Sequence, residues 1–586
     1  MSRKFYTAER ATQIVISLLK QYGIKKIVAS PGTTNVTLVG SLQQDPWFEM
    51  FSSVDERSAA YIACGLAAES GEPVVLSCTG ATASRNYIPG LTEAYYRKLP
   101  VLAITATQEL NRIGHLFPQQ MDRRSIQNDI SICSEHLFAC RSANDEWDCE
   151  IKVNRALLAL TYKGGGPAHL NLTTTHSQDF SIQVLPTARK INRYMAGDEL
   201  PIIQKGKKVA IFVGAHTAMS EGLTKAIDKF CATYDSVVFC DHSSGYRGKY
   251  RAQMALVGMQ TEYESPIFNV DILIHMGEIS GDYPLMGKLR IKEGVWRLSE
   301  DGELRDYFKK LTNVFEMKEE TFFNCYAKEN QSNSSYLSFC QSEYKKTIQC
   351  IPELPFSNLW MASQLSAKLP SDSVLHLGIL NSLRAWNVFP IEDNIDSYCN
   401  TGGFGIDGIV STLLGGSLAD PNRLHFCIVG DLAFFYDLNA IGNRHVGSNI
   451  RILLVNNGKG TEFRNYTHPG AAFGEEADRF IAAGGHYGMQ SPELIKNFAQ
   501  NLGFEYLTAS TKQDFLKALP DFVNTESMNK PILFEVFTNS ADESDALKMV
   551  NTAVKDGTIQ IKHALRDTTK SVLGDSLVNK LRKFKR

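Results

Sequence analysis

The segments "LHFCIVGDLAFFYDLNA" and "IRILLVNNGKG" each run from an apolar stretch into polar residues of one chemical kind. The first reaches Gly430 and Asp431, the second Asn456 and Asn457. Asp431 offers a hard carboxylate, Asn457 a carboxamide oxygen 26 residues later, and the flexible "GKG" a backbone carbonyl at Lys459. Such a set suits octahedral Mg²⁺, which takes a few oxygen ligands and completes its shell with phosphate oxygens. A lone Gly-Asp after a strand is an ordinary turn. The second asparagine, at the next strand end, is what makes a candidate cation site. Gly402, Gly403, Gly405 and Gly408 in "CNTGGFGIDG" would let the backbone come close to a bound group.

A further candidate lies near the start of the chain. "SSVDERSAAYIACGLA", residues 52–67, opens on Asp55, Glu56 and Arg57 and continues with Ala59, Ile62, Ala63, Leu66 and Ala67 at helical spacing. The small residues predict a tightly packed, buried helix. Charges at its head have a plain explanation, since acidic side chains cap free N–H groups and offset the helix dipole. A catalytic glutamate is the alternative.

These residues need sheets to hold them. Strand-like runs alternate with helical stretches almost throughout, the pattern of parallel α/β sheets. "KKIVASPG", "EPVVLSCTG" and "LPVLAITAT" begin a first cycle, "KKVAIFVGAHT", "DSVVFCDH" and "VDILIHMG" a second, and "DSVLHLGILNS", "LHFCIVGDLAF" and "IRILLVNNGKG" a third. The predicted fold is three Rossmann-like parallel-sheet domains, 1–185, 200–330 and 350–545, followed by a helical basic tail over 546–586. Polar stretches around 185–201 and 328–346 read as linkers. Open α/β sheets bind ligands at the C-terminal ends of their strands, which is where Asp431 and Asn457 fall. The central "VAIFVGAHT" lacks GxGxxG, so no FAD or NAD is predicted there.

Gly-Asp followed by Asn-Asn resembles the motif with which thiamine-diphosphate enzymes anchor the cofactor's diphosphate through Mg²⁺. The domain order resembles theirs too: pyrimidine-binding, central, diphosphate-binding. The resemblance implies thiamine diphosphate and Mg²⁺ as cofactors, with Asp431, Asn457 and the Lys459 carbonyl as metal ligands. It implies that Glu56 hydrogen-bonds the aminopyrimidine ring and so activates the thiazolium, a role that wants a buried glutamate at a helix start. More narrowly, "SPGTTNVTLV", "SVDERSAAYIACGLA", "CTGATASRNYIPGLTEA", "NSLRAWN", "NTGGFGIDGIVST" and "GDLAFFYDLNA" are similar to the MenD family. Those succinyl-enolpyruvyl-hydroxycyclohexene-carboxylate synthases of menaquinone biosynthesis decarboxylate 2-oxoglutarate and add the product to isochorismate. By that similarity Ile406 is the bulky residue that holds the cofactor bent, and Gln120 in "PQQMD" is the glutamine near the reaction centre. Thr79, Gly80 and Thr82 form the turn facing the pyrimidine, and Asn381, Ser382, Gly405, Gly430 and Leu432 complete the cofactor contacts. The motif likeness covers the first and third domains. It implies a homodimer or dimer of dimers, in which Glu56 of one subunit meets the Asp431 and Asn457 site of the other.

Departures from the family pattern cluster where arginines hold carboxylates, a pairing that guanidinium geometry favours. The family's "SPGSR" reads "SPGTT", leaving Thr34; its "DRP" reads "TQE" at 107–109; its "NRGASGIDG" reads "NTGGFGIDG", leaving Thr401. The arginine after the family's "NSL" is displaced to Arg384, directly after Leu383. Replacement candidates are Arg85, His115, Lys459, Arg464 and His468, each with a solvated or structural side chain as the alternative. The departures predict partners other than those of menaquinone synthesis. The predicted reaction is decarboxylation of a 2-oxo acid with transfer of the acyl anion equivalent to an acceptor. Simple decarboxylation, of the phosphonopyruvate or sulfopyruvate type, and a non-catalytic homologue are the competing readings.

Bulk properties exclude other classes. The 586 residues exceed one hydrophobic core, 43% are hydrophobic, 21% are charged, and the net charge of −2 creates no field for nucleic acid. Twelve cysteines without a CxxC pair argue against zinc or a disulfide framework and for a reducing compartment. With no apolar run of the ~18 residues that a membrane span needs, the expectation is a cytoplasmic protein. The tail "IKHALRDTTKSVLGDSLVNKLRKFKR", five of its last seven residues basic, reads as a solvated amphipathic helix. A weak membrane-surface or partner contact is the alternative.

Overall fold

The computed structural model describes residues 5–123, 125–328, 331–525 and 529–555. The chain divides into two compact units, Met1–Met195 with Gly302–Glu316 and Ala196–Asp301 with Met317–Arg586.

In the first unit, β1 (Lys26–Ala29), β2 (Glu49–Ser52), β3 (Val74–Cys78), β4 (Val101–Thr107), β5 (Cys133–Leu137) and β6 (Ala168–Thr173) form one sheet. Its order is β2-β1-β3-β4-β6-β5, with every pairing parallel. β3, β4 and β6 are buried along their whole length, as strands covered on both faces must be; β6 nonetheless alternates His169, Asn171 and Thr173 with apolar residues, and these polar side chains are hydrogen-bonded. Helices Arg10–Gln21 and Ala143–Ala159 supply one covering core and Glu56–Ser70 with Ile88–Tyr96 the other. Close packing explains the small residues of the last pair: a Cβ on Gly90 would lie 2.4 Å from the Ala60 Cβ. The Glu56–Ser70 helix is buried on that face only. Ala59, Ala60, Ala63, Cys64 and Ala67 point inward, whereas Tyr61 and Ile62 are 48% and 44% exposed. The small side chains, not the branched ones, therefore form the inward stripe. The 185–201 stretch, read as a linker, contains β7 (Asn192–Met195), which pairs in parallel with β13 (Leu311–Glu316).

The second unit holds β8 (Val209–Val213), β9 (Val237–Phe239), β10 (Arg251–Ala252), β11 (Asn269–Met276) and β12 (Arg290–Leu298), ordered β10-β9-β8-β11-β12. It also holds β14 (Val374–Leu377), β15 (Asp396–Cys399), β16 (His425–Gly430), β17 (Ile450–Asn456), β18 (Glu505–Ala509) and β19 (Ile532–Phe537). These six run β15-β14-β16-β17-β19-β18, again all parallel. Numbered within themselves, both six-stranded sheets read 2-1-3-4-6-5. Each therefore has a topological switch between its first and third strands, the crevice where such sheets take ligands. The polar 328–346 stretch carries a helix, Ser335–Ile348, that buries Tyr336, Leu337 and Cys340. Of the expected tail, 546–551 complete the helix Ser540–Asn551, and 556–586 lie outside the described residues. Among the described residues no helix is long and apolar enough to cross a membrane.

Candidate active site

At the switch of the third sheet, the turns after β14 and β16 and the loop after β17 enclose a cavity of about 300 Å³. Asn381, Ser382, Ile406, Gly430, Asp431, Leu432, Asn457 and Lys459, all singled out from sequence, line it. Gly405 is exposed beside Ile406, and a Cβ there would meet Asp407 Oδ1 at 2.5 Å. Asp431 is 4% exposed. Its Oδ1 accepts from the Leu432 N–H at 2.8 Å and its Oδ2 from the Gly458 N–H at 2.6 Å. Burial pushes its carboxyl up to about 6 against the pull of those N–H donors. Beside it, the buried Asn457 Oδ1 has no hydrogen-bond partner. A buried carboxylate without a cation and a carboxamide oxygen without a donor are both costly, and a hard cation satisfies both at once. The neighbouring Asn456 does different work, donating to Glu535 Oε1 at 2.7 Å and so tying β17 to β19.

The backbone around this cavity is constrained. Leu380, just before the helix Asn381–Trp386, sits at φ 67° and ψ −111°, a conformation that costs free energy for a branched residue and concentrates at functional sites. Gly458 has φ +74°, a left-handed conformation that favours glycine.

Glu543 and Asn358 are among the lining residues that escaped the sequence reading. Glu543 accepts from the Asn358 N–H at 3.1 Å and from Thr538 Oγ1 at 2.9 Å. Its carboxyl is pushed up to about 7 by burial, with the charges of Asp542 and then Asp431 adding to the shift. Asn358 Nδ2 in turn donates to Ser382 Oγ at 3.2 Å. In sequence Glu543 is one more acidic residue in a first helical turn, which is ordinary, and no motif marks it.

The cations proposed for substrate in this region already have partners. Arg384 forms a two-pronged pair with Glu462 at 2.8 and 2.9 Å and also donates to Asn381 Oδ1 at 3.1 Å. Lys459 and Arg464 both pair with Asp478. His468 Nδ1 accepts from the Gly470 N–H at 2.9 Å and its ring meets the edge of Phe463, which makes it the cap of the following turn. Thr401 is buried.

In the first sheet, the turns after β1 and β3 are knitted together by hydroxyls. Thr34 Oγ1 lies 2.5 Å from Thr79 Oγ1 and accepts from the Gly80 N–H at 3.2 Å. Ala81, next in line, has φ +57°, a second strained non-glycine residue at a switch point. Glu56 begins its helix as expected, behind an Asp55 cap that accepts from the Ser58 N–H at 2.7 Å. Its Oε2 accepts from Asn86 Nδ2 at 3.2 Å. The glutamate is partly exposed in the single chain, not buried as the sequence reading required. Thr82, Arg85 and His115 are exposed, with Arg85 donating to the Asp122 carbonyl at 3.4 Å. Both polar atoms of the Gln120 carboxamide are buried and unpartnered.

Residues 9–126 match the family described as "Thiamine pyrophosphate enzyme, N-terminal TPP binding domain". The chain is 30% identical over 557 residues to the 2-succinyl-5-enolpyruvyl-6-hydroxy-3-cyclohexene-1-carboxylate synthase of Bacteroides thetaiotaomicron, covering 93% of this chain and 98% of that protein. With the synthase of Bacteroides fragilis the identity is 29% over 569 residues, at the same coverage of 93% and 98%. A solved structure, the Rhodococcus jostii RHA1 thiamine diphosphate-dependent 4-hydroxybenzoylformate decarboxylase, aligns with 90% of this chain and 99% of its own at a TM-score of 0.38 and 13% identity. Similarity to the synthases runs nearly end to end, and it gives no support to the expectation of partners outside menaquinone synthesis. The chain is a thiamine-diphosphate-dependent enzyme and belongs to the 2-succinyl-5-enolpyruvyl-6-hydroxy-3-cyclohexene-1-carboxylate synthase family.

Proposed function

We propose that the protein decarboxylates a 2-oxo acid and transfers the acyl fragment to an acceptor, using thiamine diphosphate and Mg²⁺. Its resemblance to the synthases of menaquinone biosynthesis makes 2-oxoglutarate and isochorismate the first substrates to test. One observation carries the reading: the buried Asp431 carboxylate and the unpartnered Asn457 oxygen share one cavity. Asp431, Asn457 and the Lys459 carbonyl would hold the metal, and the metal the diphosphate. When bound, the cofactor supplies a carbanion-stabilising thiazolium, the chemistry that side chains lack.

The chain's own residues do the rest. Gly458 and Leu432 N–H groups orient the Asp431 carboxylate toward the cavity by occupying one lone pair on each oxygen. Ile406 contributes the apolar wall. Glu56 presents a carboxylate that Asn86 and the Asp55 cap keep in position to hold a proton. The Arg384–Glu462 pair neutralises two charges at the cavity rim. We further propose a homodimer or dimer of dimers that shares active sites, a reading supported by the exposed Tyr61 and Ile62 on the helix that begins at Glu56.

Calorimetric titration with thiamine diphosphate and Mg²⁺ tests the binding half, and absence of heat would sink it. CO₂ release from 2-oxoglutarate, measured with and without isochorismate, tests the chemistry. Equal release with no ligated product marks simple decarboxylation instead.

A further inference from the structure

The first unit contains a buried cation for which the described residues supply no paired anion. Arg123 is 6% exposed. Its Nη2 donates to the Ala106 carbonyl at 3.2 Å and to Asn171 Oδ1 at 2.8 Å, both neutral. Nε and Nη1, with three N–H bonds between them, have no partner. Burial pulls the guanidinium down to about 10 against a smaller upward pull from Cys78, whose own thiol burial holds well above its usual range, and the neighbouring cation Arg85 adds to the downward shift. His136, which shares Asn171 with Arg123, and His169 lie in the same polar layer. Burial holds them down at about 4 and about 3, with Arg123 adding to both, so they are neutral at pH 7 and compensate nothing.

Position makes the orphaned charge informative. Ala106 and Asn171 lie near the C-terminal ends of β4 and β6, the ligand edge of a parallel sheet. The turn after β3 presses on the same place: a Cβ on Gly80 would come 3.1 Å from the Ala106 carbonyl, 3.3 Å from the Gln119 carbonyl and 3.5 Å from Arg123 Nη2. Gln119 itself is held at φ +60°. Three residues before Arg123, Gln120 has a donor and an acceptor that are likewise buried and unused. Burying an unpaired charge costs several kcal/mol, and here one short segment leaves both a guanidinium and a carboxamide unsatisfied.

We propose that Arg123 and Gln120 form an anion subsite for a substrate carboxylate other than the one released as CO₂. A planar guanidinium fork with free N–H bonds beside a carboxamide donor matches the two oxygens of a carboxylate. The subsite rests on the proposed reaction, and either the oxo acid or the acceptor could bring the carboxylate.

The test uses full-length protein, wild type and Arg123→Met, with glutarate as a non-reacting probe. Glutarate should raise the melting temperature of the wild type and leave that of Arg123→Met where it was. Without glutarate the variant should melt no lower than wild type, because it removes a charge that folding buries unpaired. With cofactor and Mg²⁺ present, kcat/KM for 2-oxoglutarate relative to 2-oxobutyrate should fall roughly 10- to 100-fold, the range for one hydrogen bond to a charged group. A rise in KM confined to isochorismate would assign the carboxylate to the acceptor. Should Arg123→Met not fold, Arg123→Lys keeps the charge but loses the fork, and should show about a tenth of the wild-type preference. A glutarate shift that persists in the variants, or unchanged preference and unchanged KM for every substrate, overturns the subsite. The glutarate arm needs no turnover, so it still reads the subsite if the proposed reaction itself fails.

Discussion

The two six-stranded sheets solve one folding problem identically and pose opposite electrostatic ones. Both run 2-1-3-4-6-5, and both gather tight turns and strained residues at the switch between first and third strands. By the C-terminal ends of β4 and β6 the first sheet buries a guanidinium with N–H bonds to spare, whereas at its switch the third buries the carboxylates of Asp431 and Glu543 with no cation paired to them among the described residues. Topology thus decides where ligands go, and residue identity decides their charge. On the proposed reading, the third sheet takes a cation bridged to phosphate and the first a substrate carboxylate.

That contrast can be broken in several ways. The largest expected effect is from Glu56→Gln, which should lower kcat by about 10²- to 10⁴-fold, the usual worth of a positioned acid or base. Cofactor affinity, read by calorimetry, should change by less than about tenfold, since the proposed metal ligands lie in the third sheet. Unaltered turnover would remove Glu56 from the chemistry.

Next comes pH. A carboxyl held at about 6 by burial binds its proton more tightly folded than unfolded, so the metal-free protein should lose stability as pH rises from about 4 through about 6. Asp431 alone should contribute on the order of 3 kcal/mol, and Glu543, at about 7, extends the loss to higher pH. Denaturant titrations in chelator should show the decline, and thiamine diphosphate with Mg²⁺ should flatten it. A pH-independent chelated protein would mean that the third sheet is not strained by charge.

Smaller again, a double-mutant cycle on Arg384→Gln and Glu462→Gln should give a coupling of about 1–2 kcal/mol, because the pair is two-pronged and partly buried. Near-zero coupling would free Arg384 to serve substrate. Smallest, His468→Ala should cost about 1 kcal/mol or less, the value of a lost cap, with kcat unchanged.

Much of this was legible in the chain. Apolar runs such as "VLAITAT" and "IRILLVN" announce strands buried on both faces, and Asp431 and Asn457 stand at their ends where a ligand edge is expected. What stayed hidden depends on pairs distant in sequence. Arg384 reads as a free cation until Glu462, 78 residues on, closes over it. Arg123 and Glu543 sit in no motif, and only burial shows that one lacks an anion and the other crowds Asp431. The 328–346 stretch looked like a linker because its serines, asparagines and lysines outnumber Tyr336, Leu337 and Cys340, the residues that seat its helix. Glu56 was expected to be buried because its helix is rich in small residues, but one flank of that helix faces outward.

The hydroxyl-to-hydroxyl contact of Thr34 with Thr79 leaves position 34 without slack, since Gly32 already crowds Thr79 so closely that a Cβ there would fall 2.3 Å from it. Reinstalling the arginine that the synthase pattern carries at this spot would overfill the crevice, a clash worth roughly 1–3 kcal/mol before any benefit appears. Room for an arginine at position 34 therefore requires the Thr79 side chain to give way as well.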